Sequence, residues 1–168
     1  AAGAGLDLHA HRADERAVLD AAPGWVERAR LRLQPFVVLG DPDALRARAR
    51  RLGLDVPLET LSAFEDVRAA FGTALPILSV GQRDPIVSSI EQAVAAALDR
   101  RALAMVTNPI TKSALDFADL PYPGHTEFLA ALAARHTGAK RVRPVMMLAA
   151  DELKVVPATV HIPLAAVM

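Results

Sequence analysis

The sequence contains no cysteine, no excess of charge of either sign and no long apolar run. Without cysteine there is no disulfide framework, no thiolate zinc site and no cysteine nucleophile. The 19 Lys and Arg residues equal the 19 Asp and Glu residues, so no net positive charge favours nucleic acid or an anionic membrane. No apolar run approaches the ~20 residues that a membrane-spanning helix needs. The sequence therefore predicts a protein that binds neither nucleic acid nor membrane.

The chain has the length and composition of one globular domain, or of part of a larger protein. Of its 168 residues, 52% are hydrophobic and 23% are charged, which is typical of a chain with a packed core. Residues 1–16 mix His, Asp, Glu and Arg where a signal peptide would carry an apolar stretch. We therefore expect a cytoplasmic globular protein.

Strand-like and helix-like segments alternate along the sequence. Short apolar runs predict strands at residues 35–39, 56–58, 76–80, 103–106, 145–148 and 155–159. Helical spacing of apolar residues predicts helices at residues 43–52, 64–71, 88–101, 111–117 and 126–136. This alternation predicts an α/β fold with at least partly parallel strand pairing. Because only a few residues follow the last predicted strand, without a closing helix, and an α/β sheet needs both faces covered, we expect an incomplete domain.

Two local patterns refine the helix assignments. Ser88–Glu91 reads Ser-Ser-Ile-Glu, which is typical of a capping box, so a helix is predicted to begin there. His9 and His11 are predicted to lie in a first helix as surface residues.

The segment Pro121–Phe128 holds the most informative candidate site residues. Two prolines stiffen this segment, Gly124 permits a tight turn, and a helix is predicted to begin at Thr126. A helix N-terminus beside the side chains of His125 and Thr126 is suited to bind a phosphate or a carboxylate. The alternative is that one of these two residues only caps the helix.

Two further segments carry candidate residues. Asn108 and Lys112 follow a predicted strand, and ligands of open α/β sheets bind at the carboxyl ends of strands. Lys112 is suited to pair with a phosphate, whereas Asn108 is equally suited to form an Asx turn. His161 lies at the end of a predicted strand, either as a core residue or as one metal ligand that needs two or three partners. These residues alone leave the function open.

Four strings, in this order and spacing, resemble the PdxA family of 4-hydroxythreonine-4-phosphate dehydrogenases. They are Val106–Lys112, Pro121–Leu129, Val145–Ala149 and Thr159–Leu164. The resemblance implies a fold similar to isocitrate and isopropylmalate dehydrogenases, a two-domain α/β homodimer with its active site at the subunit interface. It also implies oxidation and decarboxylation of 4-phosphooxy-L-threonine to 3-amino-2-oxopropyl phosphate in pyridoxal 5'-phosphate biosynthesis. That reaction uses NAD or NADP and a divalent metal such as Zn, Mg or Co.

The resemblance also assigns roles to the candidate residues. It makes His125 and Thr126 substrate-binding residues and His161 one of three histidine metal ligands, whereas Asn108 and Lys112 stay candidates for a phosphate-binding loop. Residues 2–8 resemble the second half of the family's opening loop, without the strand that precedes it.

Family members are roughly twice as long as this sequence. We therefore expect residues 1–168 to form the N-terminal portion of such an enzyme, with the C-terminal half absent and the chain inactive by itself. Two alternatives remain: a paralogue that oxidises D-threonate or D-erythronate 4-phosphate, and a non-catalytic interaction module.

Overall fold

The computed structural model describes residues 7–10, 15–80, 85–107, 122 and 124–159. Its strands are β1 (Asp7–Ala10), β2 (Phe36–Gly40), β3 (Leu58–Leu61), β4 (Leu75–Ser79), β5 (Ala104–Thr107), β6 (Leu148–Ala149) and β7 (Lys154–Val155). Its helices are α1 (Glu15–Val26), α2 (Pro42–Arg51), α3 (Val67–Ala70), α4 (Pro85–Leu98) and α5 (His125–Thr137), and a 3-10 turn (Phe64–Asp66) precedes α3. Within these residues, no helix is long and apolar enough to cross a membrane.

Five strands form one parallel sheet in the order β3-β4-β2-β1-β5. Each neighbouring pair is parallel, with Val38 opposite Ile77 in β2 and β4, for example. Parallel neighbours need crossover connections, which here contain helices or helical turns. The predicted α/β class with parallel pairing is therefore confirmed.

Strand β2 is buried on both faces. All five residues of β2 are buried, and alternate residues of β2 enter different core clusters. Phe36 and Val38 pack with residues of α1 and α2, whereas Val37 and Leu39 pack with Val67 and residues of α4. A strand covered on both faces reads as a continuous apolar run, which is why the sequence identified β2.

The end of α1 is attached to the turn after α3 by polar contacts. The Trp25 Nε1–H group donates to the Phe71 carbonyl at 2.9 Å. The Arg28 guanidinium lies 3.6 Å from the centre of the Trp25 ring and donates to the Gly72 carbonyl at 2.7 Å. A cation above an indole ring is a favourable contact. These contacts stabilise one edge of the core cluster that contains Phe36 and Val38.

The structure corrects the prediction for the beginning of the sequence. His9 lies in β1, in the sheet between β2 and β5, rather than in a helix. Residues 7 and 8 also belong to this strand instead of to an opening loop. The stretch Asp7–Ala10 has no apolar run, so its strand conformation comes from backbone pairing with two neighbours rather than from a local pattern.

The predicted start of α4 is also wrong. The helix begins at Pro85, and the serines of the supposed capping box lie inside it. Pro at the first helical position is favourable because its fixed φ suits the helix. Ser89 is 1% exposed, and its hydroxyl donates to the Ile86 carbonyl at 2.8 Å instead of capping the helix.

The strands predicted at residues 145–148 and 155–159 are shorter in the structure. Only Leu148–Ala149 and Lys154–Val155 pair, as an antiparallel hairpin that is separate from the five-stranded sheet. The helix predicted at residues 111–117 lies outside the described residues.

Candidate functional site

The candidate site lies at the N-terminus of α5. Gly124 is the N-cap residue with extended backbone (φ −169°, ψ 178°), and the helix begins at His125. The Phe128 N–H donates to the Gly124 carbonyl at 3.1 Å, which closes the first helical turn. Because the N-cap residue is a glycine, it has no side chain that could accept a capping hydrogen bond from the helix N–H groups. The first N–H groups of a helix have no acceptor within it, so this end presents backbone donors and a partial positive charge.

His125 is the most unusual side chain of the site. Both Nδ1 and Nε2 are buried, and neither has a hydrogen-bond partner within the described part of the chain. Burial lowers the pKa of His125, and the negative charge of Glu127 opposes this shift only in part. The ring is therefore neutral at pH 7, with one N–H donor and one acceptor nitrogen. Buried polar atoms without partners are costly, so a ligand that pairs with them gains affinity.

Thr126 and Glu127 follow the histidine and are exposed. Glu127 reaches back toward the N-cap, since its Oε2 lies 2.9 Å from the position that a Cβ on Gly124 would occupy. A carboxylate in the first turn stabilises the helix but repels a second anion. An anionic ligand at this end therefore needs a further positive charge close to it.

The orientation of α5 is set by packing against α4. Phe128 and Leu132 are buried against Ile90 and Val94, and the ring centres of Phe128 and Tyr122 are 5.4 Å apart. This apolar contact lies within one turn of His125, so it determines where the imidazole is placed.

The far end of α5 is held by polar contacts with α4 and with the residue that follows it. Arg135 donates to Glu91 at 2.7 Å, and His136 Nε2 lies 2.9 Å from Asp99. Gly138 ends the helix in a left-handed conformation with φ 69°, which glycine adopts without steric cost. Both ends of α5 are therefore positioned independently of any ligand.

Only two of the five predicted site residues fall within the described residues. His125 and Thr126 lie together at the start of α5. Asn108, Lys112 and His161 lie outside the described residues. Their predicted roles stay predictions.

No group of three or more His, Asp or Glu side chains able to hold a metal ion occurs in the described ranges. The two histidines of α5 are separated by three turns, roughly 16 Å along the helix axis. They cannot share one metal ion.

Sequence reasoning did not single out Glu127, although its position in the first turn indicates an effect on ligand charge. It also did not identify a cleft of about 560 Å³ between residues 143–146 and residues 156–159. The signal for this cleft is weak, because two segments on either side of the hairpin line it and neither carries a motif.

Comparisons with known proteins agree with the α/β architecture. The family described as "Pyridoxal phosphate biosynthetic protein PdxA" matches residues 32–168. The 4-hydroxythreonine-4-phosphate dehydrogenase of Xanthobacter autotrophicus is 44% identical over 154 residues, which cover 84% of this chain and 43% of that protein. The enzyme of the same name from Methylorubrum extorquens is 42% identical over 159 residues, covering 86% of this chain and 45% of the relative.

A crystal structure of a 4-hydroxythreonine-4-phosphate dehydrogenase from Burkholderia phymatum has a similar fold. The TM-score is 0.69 at 22% identity, and the match covers 96% of this chain and 52% of that one. The chain spans less than half the length of the curated relatives that it matches. The extent of the family match and the identity to these relatives show that the chain belongs to the PdxA family of dehydrogenases.

Proposed function

We propose that residues 1–168 form the N-terminal portion of a 4-hydroxythreonine-4-phosphate dehydrogenase of pyridoxal phosphate biosynthesis. The complete enzyme oxidises the hydroxyl group of 4-phosphooxy-L-threonine, and loss of carbon dioxide gives 3-amino-2-oxopropyl phosphate. It works in the cytoplasm as a homodimer with a shared active site and an isocitrate dehydrogenase-like fold. Family membership supports this proposal. The structural observation that carries it is the buried imidazole of His125, unpartnered within the described residues, at a helix N-terminus.

His125 and Thr126 bind the substrate in this proposal. The neutral imidazole donates one hydrogen bond to a substrate oxygen, the Thr126 hydroxyl donates a second, and the helix N-terminus adds backbone donors. Because both ring nitrogens have almost no contact with solvent, the atoms around the ring must move to admit the substrate.

The negative charge of Glu127 implies a role for the residues before α5 in this proposal. Glu127 places a negative charge beside the proposed anion site. Lys112, and Asn108 as a neutral donor, supply the compensating contacts to the substrate phosphate in this proposal. A lysine ammonium acts there as a point charge.

In this proposal, hydride transfer and charge stabilisation come from groups that the complete enzyme binds. When bound, NAD or NADP accepts the hydride, and a divalent metal such as Zn, Mg or Co stabilises negative charge on the reacting oxygen. The described residues do not form a complete metal site. His161 is proposed as one ligand, and the others come from the part of the enzyme that this chain does not span.

A chimeric enzyme tests the proposal. Residues 1–168 are joined to the C-terminal portion of the Xanthobacter autotrophicus relative, and NADH or NADPH formation is followed with 4-phosphooxy-L-threonine and each divalent metal. We expect activity from the chimera and none from the chain alone. His125→Ala and Thr126→Ala each remove a hydrogen bond to a charged ligand, so kcat/KM falls by about 10- to 100-fold.

The matched control is His136→Ala, which changes the other histidine of α5 and leaves kcat/KM unchanged. An equal decrease in kcat/KM in the His125→Ala and His136→Ala variants would contradict a substrate-binding role for His125. Faster turnover of D-threonate or D-erythronate 4-phosphate would replace the proposed substrate with that of the paralogue. A folded chimera that is inactive on all of these substrates would favour the non-catalytic interaction module.

A further inference from the structure

The glycine at position 124 is explained by the space it leaves and not by its backbone conformation. Its φ of −169° and ψ of 178° are extended values that any residue adopts. A Cβ atom at this position, however, would lie 2.9 Å from Glu127 Oε2, which is closer than Cβ atoms approach other atoms. Gly53 differs in both respects, since its φ is +66° and no described atom lies within 4 Å of its Cβ position. Gly124 therefore leaves room for one particular group, the Glu127 carboxylate.

Glu127 and Gly124 correspond to one half of a capping box. Glu127 is the third residue of α5, and in a capping box a glutamate at this position reaches back to the N-cap residue. The other half of the motif is an N-cap hydroxyl that accepts a hydrogen bond from the helix N–H groups, and glycine has none. The carboxylate therefore lies beside the N-cap backbone, while no N-cap side chain covers the first N–H groups of the helix.

The Glu127 carboxylate also acts on the imidazole of His125, two residues earlier. Its negative charge raises the pKa of His125, against the larger lowering by burial. Among the described charges, Glu127 is the one that shifts this pKa. Lys140 and Arg141 line a cleft that also includes Glu127. The other titratable side chains of the elements packed around α5 are Tyr122, Glu91, Asp99, Arg135 and His136.

We propose that Glu127 is a positioning residue of the candidate site, which lies against the Gly124 backbone and acts on the bound ligand through His125. In this proposal Glu127 does not contact the reacting atoms. Its charge sets the pH at which the imidazole gains its second proton, and Gly124 is required because a Cβ atom would displace the carboxylate. The effect on turnover rests on the proposed substrate-binding role of His125, whereas the effect on the ring itself does not.

Titration of His125 in the chain, followed by NMR of the histidine ring protons, tests the effect of the carboxylate. The His125 signals are identified by their loss in His125→Gln. Glu127→Gln keeps the size of the side chain but removes its charge, so we expect the titration of His125 to move to lower pH. The matched control is Glu91→Gln, which removes the charge that pairs with Arg135 and leaves this titration unchanged. An unchanged titration in Glu127→Gln, or equal shifts in Glu127→Gln and Glu91→Gln, would overturn the proposal.

A double-mutant cycle tests the role of Gly124. The Cβ of Gly124→Ala meets Glu127 Oε2, the far end of an exposed side chain, so we expect the carboxylate to move and the fold to persist. Gly124→Ala is expected to change the titration of His125 when Glu127 is present, but not in the Glu127→Ala variant, where no carboxylate is displaced. The same change in both backgrounds would refute the pairing of Gly124 with Glu127. Circular dichroism checks folding, and an unfolded Gly124→Ala variant would refute the expected displacement, while Glu127→Gln still tests the charge.

The pH dependence of the chimera described above separates this inference from the proposed function. We expect the limb of the kcat/KM profile that is lost in His125→Gln to move to lower pH in Glu127→Gln. A merely structural role of Glu127 would lower kcat/KM at every pH without moving this limb. An unmoved limb in an active chimera would refute the action of Glu127 on the ligand. A chimera inactive on every substrate would overturn the proposed activity, whereas a shifted titration in the chain would still support the positioning of His125.

Discussion

Replacing Phe128 by alanine tests whether packing of α5 on α4 positions the candidate site. Phe128 is 3% exposed and packs among Ile90, Val94 and Leu132. Its truncation removes the ring and leaves a cavity in this small cluster, and changes of this kind cost about 3–5 kcal/mol. Phe128→Leu keeps most of the volume, so we expect a cost below about 1.5 kcal/mol.

Urea denaturation of the chain followed by two probes measures this effect. Circular dichroism at 222 nm reports on all helices, whereas the single tryptophan, Trp25, belongs to a different core cluster from Phe128. Because α5 packs mainly on α4, we expect Phe128→Ala to release α5 before the sheet unfolds. Part of the dichroism change then moves to lower urea, while the Trp25 transition shifts less.

Two outcomes would refute this reasoning. A change in unfolding free energy below about 0.5 kcal/mol for Phe128→Ala would mean that the ring is not packed as described. Equal effects of Phe128→Ala and Phe128→Leu would mean that cavity formation is not the cause.

Two further stability predictions follow from polar groups. The Asp41 side chain accepts a hydrogen bond from the Asp43 N–H at 2.9 Å as the N-cap of α2. In urea denaturation, Asp41→Ala is expected to lower the free energy of unfolding by about 0.5–2 kcal/mol, and Asp41→Asn by much less. Equal losses of unfolding free energy in the two variants would contradict a capping role. Burial lowers the pKa of His125 below 6.5. Between that lowered pKa and pH 6.5, the unfolded chain therefore binds a proton that the folded chain does not bind. The free energy of unfolding consequently rises with pH over this range and then levels off. His125→Gln removes this contribution, so urea titrations between about pH 5 and pH 8 should show a smaller rise for the variant, and equal slopes would contradict the burial of the ring.

The sequence predicted the elements whose local pattern agrees with their final environment. The apolar run of β2 matches a strand buried on both faces, and the helical spacing of residues 126–136 matches α5. For Asp7–Ala10 no local pattern exists, because the strand is specified by its two neighbours in the sheet. At α4 the local capping pattern was misleading, since Pro85 begins the helix one turn earlier.

The candidate site was predictable only in part, for a similar reason. The position of His125 and Thr126 follows from a glycine before a helical segment, which the sequence displays. The burial of both His125 ring nitrogens depends on tertiary packing, which a sequence pattern does not contain. The same holds for the hairpin, where apolar residues predicted longer strands than the two-residue pairs observed.

The order of strands in the sheet has a consequence for how the chain folds. Strand β3 precedes β4 in the sequence, yet in the described sheet β3 pairs with β4 and is separated from β2 by it. During synthesis, β2 and β3 are therefore complete before β4, which occupies the position between them in the sheet, has emerged. Slow insertion of β4 leaves unpaired strand edges open to intermolecular pairing, so we expect substitutions in Leu75–Ser79 to lower the yield of soluble protein more than comparable substitutions in β3.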